Sequence, residues 1–142
     1  MILRSMADVP VVGTSARAFA GAAYASAGKT GTAQAVGLSQ KEKYNAAKME
    51  EHLRDHSLYV AFAPVEQPRV ALAIIVENAG FGSAAAAPIA RRVFDYLLLG
   101  QYPSEEDIAA VQLGQATAPV GKLRDAQIAA WPPRAPGDGA GR

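Results

Sequence analysis

Two apolar runs separated by a short turn constrain the fold of this chain most strongly. Residues 57–63 read SLYVAFA and residues 69–77 read RVALAIIVE, and both are rich in aromatic, Val and Ile side chains. The PVEQP segment between them is typical of a turn. Together they predict a β-hairpin with strands over 57–64 and 69–78. Because the second run is almost continuously apolar, we expect it to lie inside a sheet with both faces covered.

A helix is predicted after the hairpin, over residues 84–99. Its apolar side chains recur at helical spacing and form a stripe that we expect to pack on the sheet. That stripe consists of Ile89, Val93, Tyr96 and Leu97. The same spacing turns the charged side chains away from the sheet, so a solvated face is expected for Arg91, Arg92 and Asp95.

The segment around residues 27–34, AGKTGTAQ, is rich in small and β-branched residues and predicts a strand over 24–36. Successive side chains of a strand alternate between its faces, so Lys29 and Gly31 share one face and Thr30 and Thr32 the other. An ammonium group then lies beside two hydroxyls along one edge, and the glycine lets a ligand backbone approach. This pattern suits an extended peptide with a carboxylate, bound as an added strand.

Two other interpretations of Lys29 compete with the peptide site: a phosphate-binding loop and a solvated surface charge. A phosphate-binding loop needs a glycine five residues before Gly28 and a helix directly after the Lys-Thr pair. Position 23 is alanine, and the residues after Gly31 favour a strand, so both requirements of a nucleotide-binding protein fail. A lysine among small residues can also be a solvated surface charge with no ligand, and the residues alone leave that interpretation open.

The remaining segments are less regular. Residues 1–23 predict extended or looped chain, and residues 37–56 a long polar connection with a helical turn around 46–53. A serine and an aspartate at capping spacing predict a short helix over 104–111. Beyond Gly114 the Pro, Gly and Ala content rises. We therefore expect one domain over 1–114 and a disordered tail over 115–142.

Charge and composition exclude several classes of function. The 142 residues carry a formal net charge of +1, which argues against a nucleic-acid partner. The chain has no cysteine, so disulfides and thiolate metal sites are excluded. Its longest strongly apolar run, 70–76, is far shorter than the ~20 residues of a membrane-spanning helix, and we expect no membrane segment or signal peptide.

His52, Asp55 and His56 form a small constellation before the first hairpin strand. Two imidazoles four residues apart with a carboxylate between them approach a zinc-peptidase pattern, with Asp in place of Glu. Two histidines are too few ligands, and a helix holding both would have to end at His56. We expect no metal and no cofactor here, and a hydrogen-bonding role for Asp55 and His56 at the start of the strand.

In order along the chain, AGKTGTAQ, a long polar loop, HSLYVAFAP, RVALAIIVEN and a Gly-rich turn into AAAAPIARRVFDYLL resemble the C-terminal part of penicillin-binding proteins. The similarity is to the class B type known as penicillin-binding protein 2, a peptidoglycan D,D-transpeptidase, and runs from about Gly13 to Gly100. It implies an α/β fold of the α+β type, with a partial antiparallel sheet of about three strands and a C-terminal helix packed on it. In the family that sheet is larger and covered on both sides, so an exposed apolar face is expected here, with poor solubility or partnering.

The resemblance also implies roles for the residues of AGKTGTAQ. Lys29 matches the lysine that supplies positive charge, and Gly31 belongs to the same substrate-binding element. The hydroxyls of Thr30 and Thr32 match those that receive the carboxylate of a D-Ala-D-Ala stem peptide or a β-lactam. The backbone N–H of Thr32 matches one of the two donors of the oxyanion hole.

Two further motifs of the family, SxxK with the nucleophilic serine and Ser-x-Asn, are expected upstream of this chain. The letters SxxK occur only at Ser26 to Lys29, where an extended backbone points the two side chains to opposite faces, and Ser-x-Asn does not occur. We therefore expect the chain to lack the nucleophile and to be inert alone. The alternative is a stand-alone, non-catalytic peptide-binding module.

The resemblance finally implies a cellular setting. It places the parent protein on the periplasmic side of the bacterial inner membrane, held by an anchor outside this chain. It also implies partners in the cell-elongation machinery that maintains cell shape.

Overall fold

The computed structural model describes residues 2–34, 54–113, 117–122 and 124–125. The chain has a mixed α/β architecture in which three antiparallel strands form a sheet, in the order β1-β2-β3. Within the described residues the helices are α1 (Ile2–Asp8), α2 (Ala16–Phe19), α3 (Ala86–Leu99) and α4 (Glu105–Gln112). The strands of the sheet are β1 (Ala27–Ala33), β2 (His56–Ala63) and β3 (Val70–Val76), and the two-residue strands β4 (Gln101–Tyr102) and β5 (Arg124–Asp125) pair separately.

The sheet has two unlike faces, which β2 defines by its alternating burial. The face that packs against α2 and α3, here called the helix-covered face, carries Ser57, Tyr59, Ala61 and Ala63 from β2, with Ile74 opposite Tyr59. The other side, here called the outer face, carries Val60 and Ile75, which are 46% and 66% exposed. The hydrophobic core therefore lies between the sheet and the helices on one side.

The hairpin prediction is confirmed, but the expectation that β3 has both faces covered is wrong. β3 lies at the edge of the described sheet, and its residues alternate between half-buried and exposed. The run looked uniformly apolar because its exposed positions are Ala71, Ala73 and Ile75. Two of these side chains are too small for hydropathy to reveal which face they occupy.

Helix α3 packs on the sheet as predicted, but through a different stripe. Ile89 and Val93 are each 36% exposed. The stripe that is buried consists of Ala86, Ala87, Pro88, Ala90, Arg91, Phe94 and Asp95. The small alanines let the helix approach the sheet closely, and a sequence count that favours large side chains misses such a stripe.

The expected solvated face for Arg91 and Asp95 is also wrong. These residues are 5% and 2% exposed, and Arg91 Nε lies 2.9 Å from the Asp95 carboxylate. The Arg91 guanidinium also donates to the carbonyl of Ala20 at 2.9 Å, and the hydroxyl of Tyr24 donates to Asp95 at 2.9 Å. Arg92 is half-buried and donates to Asp107 of α4 at 2.8 Å. Each charge is paired, which is how charged groups become tolerable in a core.

The N-terminal residues are partly helical, which corrects the prediction of extended or looped chain over 1–23. α1 has no buried residue, and α2 is a single turn whose Phe19 enters the core. The Phe19 ring lies 6.0 Å from that of Tyr59 and 6.3 Å from that of Phe94. A helix of one turn is too short to show a hydrophobic period in the sequence, and it is stabilised by tertiary packing rather than by helix propensity.

The ends of the other predicted elements shift only slightly. β1 runs from Ala27 to Ala33 rather than from residue 24 to residue 36: Gln34 already lies outside the strand, and residues 35–36 lie outside the described residues. The capped helix is confirmed as α4, because the Ser104 hydroxyl accepts from the Asp107 N–H at 3.0 Å. The turn expected around 46–53 also lies outside the described residues.

Part of the segment predicted as a tail is held in place. The carbonyl of Thr117 accepts from Arg92 at 3.1 Å, the carbonyl of Val120 accepts from Ser104 at 2.8 Å, and β5 pairs with β4. The rest of 115–142 lies outside the described residues, and there disorder stays a prediction. No helix in the described part of the chain combines the length and apolarity needed to cross a membrane.

Candidate functional site

The candidate site is β1, which lies at an edge of the described sheet and pairs there with β2. Along an edge strand, alternate residues direct their N–H and C=O groups away from the neighbouring strand, where an extended ligand can reach them. Residues 27–33 are extended rather than forming a loop that leads into a helix. The nucleotide-binding interpretation is therefore wrong for this segment, since its phosphate-binding amides need that loop.

The ammonium and the hydroxyls of β1 lie on opposite faces, as the alternation predicts. Lys29 is paired with Val60 on the outer face, and its Nζ donates to the carbonyl of Thr30 at 2.6 Å. Thr30 is paired with Tyr59 on the helix-covered face, and Thr32 shares that face. Lys29 and Thr32 are exposed and Thr30 is half-buried. All three side chains are therefore accessible to a ligand that lies along the strand edge.

The structure adds Thr14, a residue that the sequence reasoning missed. Its hydroxyl lies 2.7 Å from the hydroxyl of Thr30. The two residues are 16 positions apart, and Thr14 belongs to the segment between α1 and α2 that was predicted as loop. Nothing in the local pattern around Thr14 signals this contact, because it depends on how the first helices fold back against β1.

Three glycines of the site, at positions 28, 31 and 82, differ in how strictly the surrounding packing excludes a side chain. A Cβ on Gly28 would collide with the hydroxyl of Tyr59, and one on Gly82 would collide with the carbonyl oxygens of Gly31 and Leu58. A Cβ on Gly31 would meet only the Leu58 side chain, at 3.3 Å from its Cβ. Packing thus requires glycine at 28 and 82 more strictly than at 31.

Tyr59 supports the strand from the helix-covered face. It is fully buried, and its hydroxyl lies 3.1 Å from the hydroxyl of Ser15. Burial raises the pKa of Tyr59 above its usual range, and the hydrogen bond with Ser15 opposes that rise. Burial and, secondarily, the nearby charge of Asp95 raise the pKa of Tyr24 far above its usual range. Both phenols therefore stay neutral at physiological pH.

Ser26 lies immediately before β1 and is 5% exposed. It lines a cavity of about 560 Å³ together with Phe19, Tyr24 and Glu66. Lys29, whose Nζ bonds the Thr30 carbonyl, does not line this cavity. The arrangement agrees with the interpretation that the letters SxxK at Ser26 do not form a nucleophile and base pair.

Asp55 and His56 hold the start of β2 against the end of β3. His56 Nδ1 accepts from the N–H of Asn78 at 3.1 Å, and the carbonyl of Asp55 accepts from Gly80 at 2.8 Å. Asn78 and Gly80 have positive φ angles of 55° and 77°, which are typical of a tight turn. His52 lies outside the described residues, within which no three potential metal ligands cluster.

Comparison with known proteins identifies the family. The family model of the penicillin binding protein transpeptidase domain matches residues 1–95, which include all of β1. The chain belongs to this family. The peptidoglycan D,D-transpeptidase MrdA of Haemophilus influenzae is 48% identical over 94 residues, which are 66% of this chain and 14% of that relative. The present sequence therefore spans about a seventh of the length of this relative.

Solved structures of the family share the fold. Pseudomonas aeruginosa PBP2, in complex with WCK 5153, matches with a TM-score of 0.54 and 37% identity, over 73% of this chain and 19% of that one. Helicobacter pylori PBP2, in a complex with MreC, matches with a TM-score of 0.54 and 29% identity, over 69% of this chain and 17% of that one. The α+β transpeptidase fold that the sequence predicts is thereby confirmed.

Proposed function

We propose that this chain supplies the β1 side of the substrate site in a serine-type peptidoglycan D,D-transpeptidase. The observation that carries the proposal is an edge strand with an ammonium group, two hydroxyls and a glycine, inside a segment that matches the transpeptidase family. The ligand class is a peptide ending in D-Ala-D-Ala, or a β-lactam that imitates it. Residues 1–114 form the C-terminal part of the transpeptidase domain.

Each polar group of β1 has a defined task in this proposal. The hydroxyls of Thr30 and Thr32 donate to the ligand carboxylate, and Lys29 contributes positive charge at the same edge. A hydrogen bond to a charged group is worth about 1.5–3 kcal/mol, so two such bonds select strongly for a free carboxylate. Gly31 leaves room for the ligand backbone to lie against the strand.

The backbone N–H of Thr32 acts as one donor of the oxyanion hole. A donor of this kind lowers the barrier to acyl transfer by about 3 kcal/mol. The second donor and the nucleophilic serine belong to an SxxK element outside the present sequence. The chain alone therefore binds the substrate reversibly and does not form an acyl-enzyme.

The proposal extends to the setting of the whole protein. The two solved structures compared above are PBP2 proteins, and one of them was solved in complex with MreC. We propose on that basis a place on the periplasmic side of the bacterial inner membrane and partners in the cell-elongation machinery. Binding of this chain to an MreC protein tests the partner directly.

An NMR titration of the chain tests the binding step. An N-acylated peptide ending in D-Ala-D-Ala is expected to shift the amides of Thr30, Gly31 and Thr32, because it adds along that edge. The same peptide with a C-terminal amide should bind at least about tenfold more weakly, since it lacks the charged acceptor. Absence of any shift with the carboxylate peptide would overturn the proposal.

A labelled penicillin tests the catalytic half. The chain alone should remain unlabelled, whereas a longer protein that joins these residues to an upstream SxxK should be acylated. Covalent labelling of the lone chain at Ser26 would defeat the assignment of the nucleophile. A longer protein that binds the peptide and resists acylation would instead favour the stand-alone binding module.

A further inference from the structure

We propose that Thr14 is a positioning residue that orients the carboxylate-binding hydroxyl of Thr30. The inference rests on the proposed function of β1 and deepens it. Its basis is the 2.7 Å contact between the hydroxyls of Thr14 and Thr30, which joins the segment before α2 to the middle of the edge strand. Thr14 itself is exposed. A hydrogen bond at an exposed site adds little to folding stability. The contact between Thr14 and Thr30 therefore points to a role in orienting the Thr30 hydroxyl rather than in folding.

The turn before Thr14 is tightly determined. The N–H groups of Val11, Val12 and Gly13 donate to the carbonyl of Asp8 at 3.1, 2.9 and 3.2 Å. A Cβ on Gly13 would lie 2.8 Å from the Cα of Val9, a separation that real side chains do not adopt. Only glycine therefore allows the chain to fold back after α1 and bring the next residue to β1.

The residue after Thr14 is fixed as well. Ser15 is 1% exposed, and its hydroxyl lies 3.1 Å from the hydroxyl of Tyr59. Tyr59 is the cross-strand partner of Thr30, so the segment before α2 is joined to β1 through Thr14 and to β2 through Ser15. Thr14 is thus an exposed side chain on a backbone that is anchored on both sides. Such a residue holds its hydroxyl in place without help from a ligand.

The chemistry of the pair explains what that position achieves. A threonine hydroxyl donates one hydrogen bond and accepts others, whereas a carboxylate only accepts. When Thr14 donates to the Thr30 oxygen, the Thr30 proton remains available for the incoming carboxylate. The bond from Thr14 also polarises the Thr30 O–H and holds one rotamer before binding, which lowers the entropy cost of association. Thr14 therefore sets the preference of β1 for a carboxylate.

Isosteric substitution tests this role. Thr14→Val removes the hydroxyl and keeps the shape, Thr14→Ser keeps the hydroxyl, and Thr117→Val makes the same chemical change away from β1. In the D-Ala-D-Ala titration, Thr14→Val is expected to weaken binding about fivefold, the equivalent of one lost hydrogen bond. Thr14→Ser and Thr117→Val should bind like the wild type.

A second measurement needs no ligand. Three-bond couplings of Thr30 should report one χ1 rotamer in the wild type and in Thr14→Ser, and rotamer averaging in Thr14→Val. A purely structural role of Thr14 would lower the unfolding midpoint and leave the Thr30 couplings unchanged. Unchanged couplings, or unchanged affinity in a folded Thr14→Val chain, would overturn the inference.

The possible failures are separable. A wild-type chain that does not bind the peptide defeats the proposed function. In that case the Thr30 couplings, which need no ligand, are the measurement that tests whether Thr14 positions Thr30. If Thr14→Val fails to fold, Thr14→Ser decides through the same two measurements. Weakened binding in Thr14→Ser, with its hydroxyl intact, would contradict the inference.

Discussion

The two faces of the sheet show how stability and binding are distributed in this chain. The helix-covered face carries Tyr59 against Phe19, with Phe94 of α3 in the same cluster, and all three are buried. The outer face keeps Val60 and Ile75 largely exposed. Folding stability is therefore expected to come from one face. The candidate site lies along the β1 edge between the faces, where it draws its hydroxyls from one side and its ammonium from the other.

Apolar groups of the same kind thus have unlike roles on the two sides. On the helix-covered face their burial removes apolar area from water, at about 25 cal/mol per Å². On the outer face the exposed Val60 and Ile75 contribute little to folding, and they leave apolar surface available for contact with another molecule. The expected exposed sheet face is thus present at these two residues.

The largest effect should come from removing a core aromatic side chain. Phe94→Ala is expected to lower the free energy of unfolding by about 3–5 kcal/mol, because it leaves a cavity beneath the sheet. Ile75→Ala, on the outer face, should change it by less than about 0.5 kcal/mol. Urea denaturation followed by circular dichroism measures both values. Similar losses for the two variants would mean that the outer face is also packed in solution.

A pair of glycine variants sharpens the comparison at β1. Gly28→Ala places a methyl group against the Tyr59 hydroxyl and should cost about 1–3 kcal/mol of stability. A methyl group at position 31 would meet only Leu58, at 3.3 Å from its Cβ, so the Gly31→Ala chain should stay folded and instead lose affinity for the D-Ala-D-Ala peptide. Thermal unfolding and the NMR titration separate the two outcomes. A Gly31→Ala variant that binds normally would remove the glycine from the proposed site.

The smallest effect is a pH dependence that belongs to the helix-covered face. The folded-state pKa values of Tyr24 and Tyr59 are raised above the ordinary value of 10.0. Below pH 10 both tyrosines are neutral in the folded and unfolded states, and their contribution to folding stability is complete. As the pH rises above 10, the unfolded state ionises first and stability falls, by at most about 1.4 kcal/mol per pH unit for each tyrosine. Urea midpoints between pH 9 and 11 measure this slope. A flat profile would contradict it, and Tyr59→Phe should make the decline shallower.

The sequence was most informative where the signal is local. The hairpin runs, the Ser104 cap and the alternation of Lys29 and Thr30 each depend on neighbours within a few residues, and the structure has all three. It was least informative where a polar group gains a distant partner. Arg91 and Asp95 are buried, with Ala20 and Tyr24 as further partners. Hydropathy assigns charged residues to the surface because it ignores such pairing.

The sequence alone determined the strand within AGKTGTAQ, its chemical groups and its likeness to a transpeptidase. Side-chain type and the two-residue period of a strand are properties of the chain itself. Only the tertiary structure decided which helix stripe is buried, which sheet face stays exposed and which residue meets Thr30. Those outcomes depend on contacts such as Thr14 to Thr30 and Tyr24 to Asp95, which join segments 16 and 71 residues apart. Short-range patterns do not encode such contacts, because they form only when the whole core packs.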